Sequence, residues 1–169
     1  MGPDQAKLFL NFLLTSLEQE QQITRKVIAA VPEAKKTYKP AEKSMTAHEP
    51  AWHVPQTEVW FLKGIIAGKF SEDLMETNTP ATIAAILDWY DKNFREQVAR
   101  VKALPAEKLA QPINFFGMEF PAVVYLSLLT HHSAHHRGQL SVYLRPMGAK
   151  VPSIYGGSAD EPFQAGASA

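Results

Sequence analysis

Four long helices packed as a bundle with long crossover connections, an all-α fold, are what this 169-residue sequence predicts. Three observations lead there. Four long stretches carry helical periodicity or helix start and stop signals, and polar or proline-containing connections separate them. Only one short segment, before the last stretch, reads as extended. The composition, 46% hydrophobic and 10% aromatic, supplies one bulky core without disulfide staples.

The first helix is expected from about Asp4 to Ala30. Leu10, Leu13, Leu14, Leu17, Thr24, Val27 and Ile28 repeat at the helical period, and Pro32 lies just beyond the end. The second runs from about Thr46 to Gly68, with Thr46 and Glu49 spaced as a capping box. Pro55 lies inside it and removes the amide that would bond the Ala51 carbonyl. Two readings of Pro55 stand: a helix that starts late, or a loosened turn that aims His53 inward. The third helix runs from about Pro80 to Ala103, with Thr79 as cap and Pro80 in the first helical position. The fourth runs from Pro121 to about Arg145, and Gly148 follows. Residues 34–44 and 69–78 are polar crossovers, and INFFGMEF, 113–120, reads as a short hairpin-like turn. The chain reads as a single domain, 1–169, with an irregular tail at 157–169.

Charge and composition exclude several functions. Seventeen basic and seventeen acidic residues cancel, and the isoelectric point is near 7, so nucleic acid and anionic membrane are not expected partners. Cysteine is absent, which removes disulfides, zinc–thiolate sites and a cysteine nucleophile. The apolar run LFLNFLL is short and leads into the polar EQEQQ, so a signal peptide is not expected. No apolar run reaches membrane-spanning length. The expected location is the cytoplasm.

The stretch LLTHHSAHHRGQL, 128–140, holds four of the six histidines. His132 and His136 lie four apart, so they share one helix face and can converge on one ion. His131 and His135 form a second such pair, turned about 100° around the helix. Tyr125 and Gln139 lie seven positions either side of His132 and share its face. A catalytic zinc site takes three protein ligands, so a third is needed. His48 and His53 are available on the second helix, and they cannot share a face. His53 lies deeper and continues a stripe through Gln56 and Trp60, which favours it. A solitary core histidine needs only one hydrogen-bond partner. Several together each need one, and a divalent cation satisfies three at once.

Other residues carry two readings each. Gln139 either orients a ligand or packs inside the bundle. Tyr155, in SIYGG, is either a lid over a pocket or an anchor for the tail. Trp52 and Trp60 at helical spacing read as core ahead of a substrate cage, and Trp60 and Tyr125 stand with Gln139 and Tyr155 as candidates to support the ligands or line the pocket. Arg137 reads as a solvated or ion-paired residue ahead of a carboxylate binder. Glu49 is absorbed by its cap. Glu58 is five from His53 and off its face, and Asp88 and Asp91 mark a polar helix face, so none of them is assigned a catalytic role.

Three segments together resemble one known family. They are the H-x-x-x-H-R-G-Q-L element at 132–140 with Tyr143, Leu144 and Arg145 after it, the second-helix segment KSMTAHEPAWHVPQTEVWFL, and MGAKVPSIYG with Asp160 following. The chain is similar to the DinB-like (YfiT-like) family of metal-dependent four-helix bundles. The resemblance implies a metal held by one histidine of the second helix and two of the fourth, which fall on His53, His132 and His136. It implies nickel or zinc with water in the open positions, and a homodimer. It does not imply DNA binding. Some relatives are thiol S-transferases or thiol-dependent isomerases, so the resemblance also implies a small-molecule substrate and a low-molecular-weight thiol.

A three-histidine site with open positions can acidify water or hold a thiolate. The leading expectation is a metal-dependent thiol transferase. A metal-dependent hydrolase and a non-catalytic, metal-binding stress-response bundle are the alternatives.

Overall fold

The structure, a computed structural model, describes residues 1–163. The expected irregular tail therefore lies partly outside the described residues, at 164–169. Helix α1 spans Pro3–Ala29, with Pro3 in its first turn and the Gln5 side chain accepting from the Gly2 amide at 3.0 Å. It buries Leu10, Leu14, Leu17, Gln21, Thr24, Val27 and Ile28, spaced by threes and fours. Helix α2 spans His48–Ala67 and ends at Gly68, whose φ of 71° is the left-handed conformation helix ends favour. It is the central helix, packed on both α3, Ile83–Lys102, and the last long helix, α5, Tyr125–Leu144.

Between α3 and α5 the chain forms a short helix, α4 (Ala106–Ala110), and then a two-stranded hairpin. Strand β1 (Pro112–Phe115) pairs antiparallel with β2 (Met118–Pro121). Phe116 and Gly117, at φ 50° and 85°, supply the two left-handed residues that a tight hairpin turn requires. Tyr125 Oη donates to the Ile113 carbonyl at 2.7 Å and ties the hairpin to α5. The expected hairpin is thus present, and the architecture is all-α apart from it.

Three boundaries differ from expectation. Thr79 and Pro80 do not begin α3. Thr82 is the cap, its Oγ1 accepting from the Ala85 amide at 3.1 Å, and the Ile83 amide donates to Glu33 Oε2 at 2.8 Å. Pro80 stays in the crossover, where its carbonyl meets His48 Nε2 at 2.9 Å. Pro121 closes β2, and one 3₁₀ turn, Ala122–Val124, leads into α5. At α2 the capping box is only half made: the Thr46 amide and hydroxyl both donate to Glu49 Oε2, at 2.5 and 2.7 Å, and Ala47 is the cap residue. Of the two readings of Pro55, the late start is excluded, because α2 begins seven residues before it and continues through it.

The core is divided along the bundle axis. One apolar cluster takes Leu10, Leu14 and Leu17 of α1, Trp60 to Ile65 of α2, Tyr90 to Val101 of α3, and Tyr125 to Leu129 of α5. A second takes Val27 and Ile28, Ala51 and Trp52, Ile83 and Ile86, and Leu140 and Leu144. The gap between them is filled from every long helix by polar side chains. They are Gln21 and Thr24 of α1, His53, Thr57 and Glu58 of α2, the Tyr90 hydroxyl of α3, and His132, Ser133, His136 and Arg137 of α5. In urea unfolding, Thr82→Ala is expected to cost about 1 kcal/mol through its lost cap. Thr79→Ala is expected to stay within about 0.5 kcal/mol of the parent. Equal losses would return the helix start to Thr79.

Candidate metal centre

In this polar layer His53 of α2 and His132 and His136 of α5 come together. One nitrogen from each lies within 4.8 Å of the other two. The ring centroids are 4.9 Å apart for His53–His132 and 4.5 Å for each of the other pairs. The i, i+4 spacing on α5 stacks two rings on one face, and the dense α2–α5 contact brings the third to meet them. All three residues are half-buried.

The outer nitrogens show which atoms face inward. His53 Nδ1 meets Thr57 Oγ1 at 3.4 Å, and His136 Nδ1 meets Gln139 Oε1 at 2.9 Å. Gln139 accepts at Oε1, so His136 carries its proton on Nδ1 and turns the Nε2 lone pair inward. His53 Nε2 and His132 Nε2 approach to 3.1 Å. One shared proton can hold that contact, and a cation can replace it. His132 Nδ1 is buried without a partner. Three neutral nitrogen donors, two of them oriented from behind, fit a divalent transition-metal ion. Among the described residues no carboxylate joins this group.

Burial keeps the imidazoles neutral. It pushes His132 down to about 4 from an ordinary 6.5, and the neighbouring His136, His53 and His135 add to that. His53 and His136 are lowered as well, again mainly by burial.

Comparison with known proteins agrees with the fold. The DinB family model matches residues 5–165. The chain belongs to the DinB family. YrdA of Bacillus subtilis (strain 168), an uncharacterized protein, is 28% identical over 157 residues, covering 90% of this chain and 91% of YrdA. YjoA of the same organism is 29% identical over 145 residues, covering 82% and 90%. A DinB-like crystal structure from Bacillus cereus ATCC 10987 superposes with a TM-score of 0.73 at 27% identity, covering 85% of this chain and 95% of that one. The crystal structure of YjoA superposes with a TM-score of 0.68, also at 27% identity, covering 87% and 96%.

Around the DinB triad the other candidate residues separate by position. Gln139 bridges His136 and His135, its Nε2 lying 3.0 Å from His135 Nε2. His131 and His135 are exposed on the outer side of α5. His48 is spent on the Pro80 carbonyl. Trp60 is core: its Nε1 donates to the Ser71 carbonyl at 2.8 Å, and its ring packs on Phe61, Phe70 and Phe115. Tyr125 belongs to the hairpin and the aromatic core. Tyr155 anchors the tail, donating to Glu20 Oε2 at 2.8 Å and accepting from Arg137. A cleft of about 280 Å³ between α1 and α3, lined by Gln21, Asp91, Phe94 and Arg95 among others, contains none of the histidines.

Of the two forms expected for Arg137, solvated or ion-paired, the structure has the ion pair, and it places it in the core. Arg137 is 1% exposed, pairs with Glu20 Oε2 at 2.6 Å and donates to Thr24 Oγ1 at 3.1 Å. The i+4 step from Ser133 carries it into the core, where a carboxylate on α1 neutralises it. Glu58 was assigned no role from sequence and is wholly buried, accepting from Tyr90 Oη at 2.5 Å. Its distance of five residues from His53 places it off the triad's face and inside the core.

The lowered histidines set a pH dependence. The unfolded chain binds protons on these imidazoles below 6.5, whereas folded His132 takes one only near 4. Their contribution to metal-free stability is present above 6.5 and is lost as pH falls toward 4. Thermal unfolding of metal-free protein should show this loss, and His132→Gln should reduce it. An unchanged slope in the variant would contradict it.

Proposed function

We propose that the protein is a metal-dependent enzyme that binds one nickel or zinc ion at His53, His132 and His136 and transfers a low-molecular-weight thiol to a small electrophilic substrate. The observation that carries this reading is the convergence of the three imidazoles, with Gln139 and Thr57 behind two of them. A divalent cation held by three neutral nitrogens keeps its full charge, lowers the pKa of a bound thiol and leaves coordination positions open. The protein side supplies three things: neutral donors, an orientation set from the outer nitrogens, and a surround from which buried carboxylates are kept away from the ligands. A hydrolase would need an acid–base group beside the ion, and the carboxylate-free triad favours a nucleophile that arrives as a thiolate.

Stoichiometric metal binding should vanish in His53→Ala, His132→Ala and His136→Ala and persist in His131→Ala and His135→Ala. Calorimetric titration with zinc or nickel checks this. Equal loss from the two exposed positions would sink the facial assignment. Loaded wild type should then consume a thiol together with a chloroaromatic or epoxide electrophile faster than the His53→Ala variant. Binding without any turnover would favour the non-catalytic bundle.

The same reading includes a homodimer. Support comes from the start of α1, where Leu8 and Phe12, one turn apart, are 71% and 76% exposed beside half-exposed Phe9. Light scattering should give twice the 18.8 kDa chain mass, and Phe12→Asp should halve it. A monomeric wild type would contradict this.

A further inference from the structure

The polar layer contains a second group that the metal reading does not use. Glu58 of α2 is wholly buried, and so is Tyr90 of α3, whose hydroxyl donates to Glu58 Oε2 at 2.5 Å. The other oxygen, Oε1, is buried with no well-aligned partner, and so is Ser133 Oγ of α5. Ser133 is nevertheless close enough to act on the Glu58 carboxyl. A carboxylate oxygen can only accept. Two arrangements pair the orphaned oxygens, the Ser133 hydroxyl donating to an ionised Oε1 or a protonated Oε1 donating to Ser133 Oγ, and complete burial favours the second, neutral one.

The surrounding charges agree. The cation facing Glu58 is Arg137 of α5, and Glu20 of α1 already neutralises it at 2.6 Å. Burial, the largest influence, and the Glu20 carboxylate oppose an ionised Glu58, while hydrogen bonds from Tyr90 and Ser133 and the paired Arg137 offset them only in part. Burial accordingly pushes the Glu58 carboxyl up to about 7.

The placement gives this neutral acid a task. Ser133 immediately follows His132 on α5, and Glu58 lies a little over one turn beyond His53 on α2. We propose that Glu58 is a positioning residue: as a protonated acid it bonds α2 to α5 through Ser133 and to α3 through Tyr90, and so fixes the separation of the two helices that carry the imidazoles. The metal-affinity part of this inference rests on the function proposed above; the geometric part concerns the metal-free chain alone.

Glutamine reproduces a protonated glutamate, with a donor for Ser133 and an acceptor for Tyr90. Methionine keeps the volume and loses both bonds. In metal-free protein at pH 6, Glu58→Gln should leave the imidazole ¹⁵N resonances of His53 and His132 in place, and Glu58→Met should move them. Should the methionine variant fail to fold, Ser133→Ala removes the acceptor alone and should move the same resonances. Glu58 in the unfolded chain titrates near 4.5 and in the folded chain near 7, so ionisation destabilises the fold as pH rises through that window. The glutamine variant should therefore gain thermal stability on wild type between pH 5 and pH 8. In zinc competition at pH 6 it should stay within about threefold of wild type, while the methionine variant loses about tenfold or more.

Loss of affinity in Glu58→Gln as large as in Glu58→Met would overturn the proposal and make Glu58 a counter-charge to the ion. Unmoved imidazole resonances in Glu58→Met and Ser133→Ala would overturn it too. If wild type binds no metal, the metal reading fails, and the resonances and the pH profile still decide the role of Glu58.

Discussion

Everything in this bundle depends on how it satisfies a layer of polar groups placed in the middle of its core. Two apolar clusters close the ends, and each long helix sends polar side chains into the gap between them. Leaving such groups unpaired costs more than the bonds themselves return, so each must find a partner across the bundle. Arg137 finds Glu20 and Thr24, Tyr90 finds Glu58, and His53 and His132 find each other. These pairings cross between helices, so they set the helix spacing as well as filling it. The site is a consequence: three imidazoles kept neutral by burial, sharing one small volume.

Charge is segregated within the layer. The one ion pair, Arg137 with Glu20, lies on the α1 side and is self-contained. The carboxyl of Glu58 sits between α2, α3 and α5. The imidazoles lie between α2 and α5 with no carboxylate in their group. A cation held by these imidazoles would keep its charge uncompensated by their group.

Much of the arrangement was legible in the sequence. Spacing alone put His132 and His136 on one face, and the stripe through Gln56 and Trp60 selected His53 over His48. The same periodicity put Gln139 on that face with two readings open, and its contact with His136 Nδ1 comes from the fold. The hairpin followed from INFFGMEF, whose glycine supplies one of the two left-handed residues. What was not legible came from partners distant in sequence. Thr79–Pro80 is as good a start signal as Thr82, and Glu33 on another segment, bonding the Ile83 amide, marks the start actually used. Arg137 reads as solvated or ion-paired, and its partner and its burial are settled only when Glu20, more than a hundred positions away, is brought against it. Glu58 looks unremarkable beside His53 because its partner, Tyr90, is on another helix. Tyr155 was undecided between lid and anchor, and Arg137 with Glu20 makes it an anchor.

The most direct test is the X-ray absorption spectrum of the zinc-loaded protein. The account predicts three imidazole nitrogens at about 2.0–2.1 Å with light-atom solvent ligands completing the shell, and a drop to two imidazoles or loss of the ion in His53→Ala. A shell with four imidazoles, or one unchanged by His53→Ala, would contradict it, because the ion would then sit on the exposed face of α5.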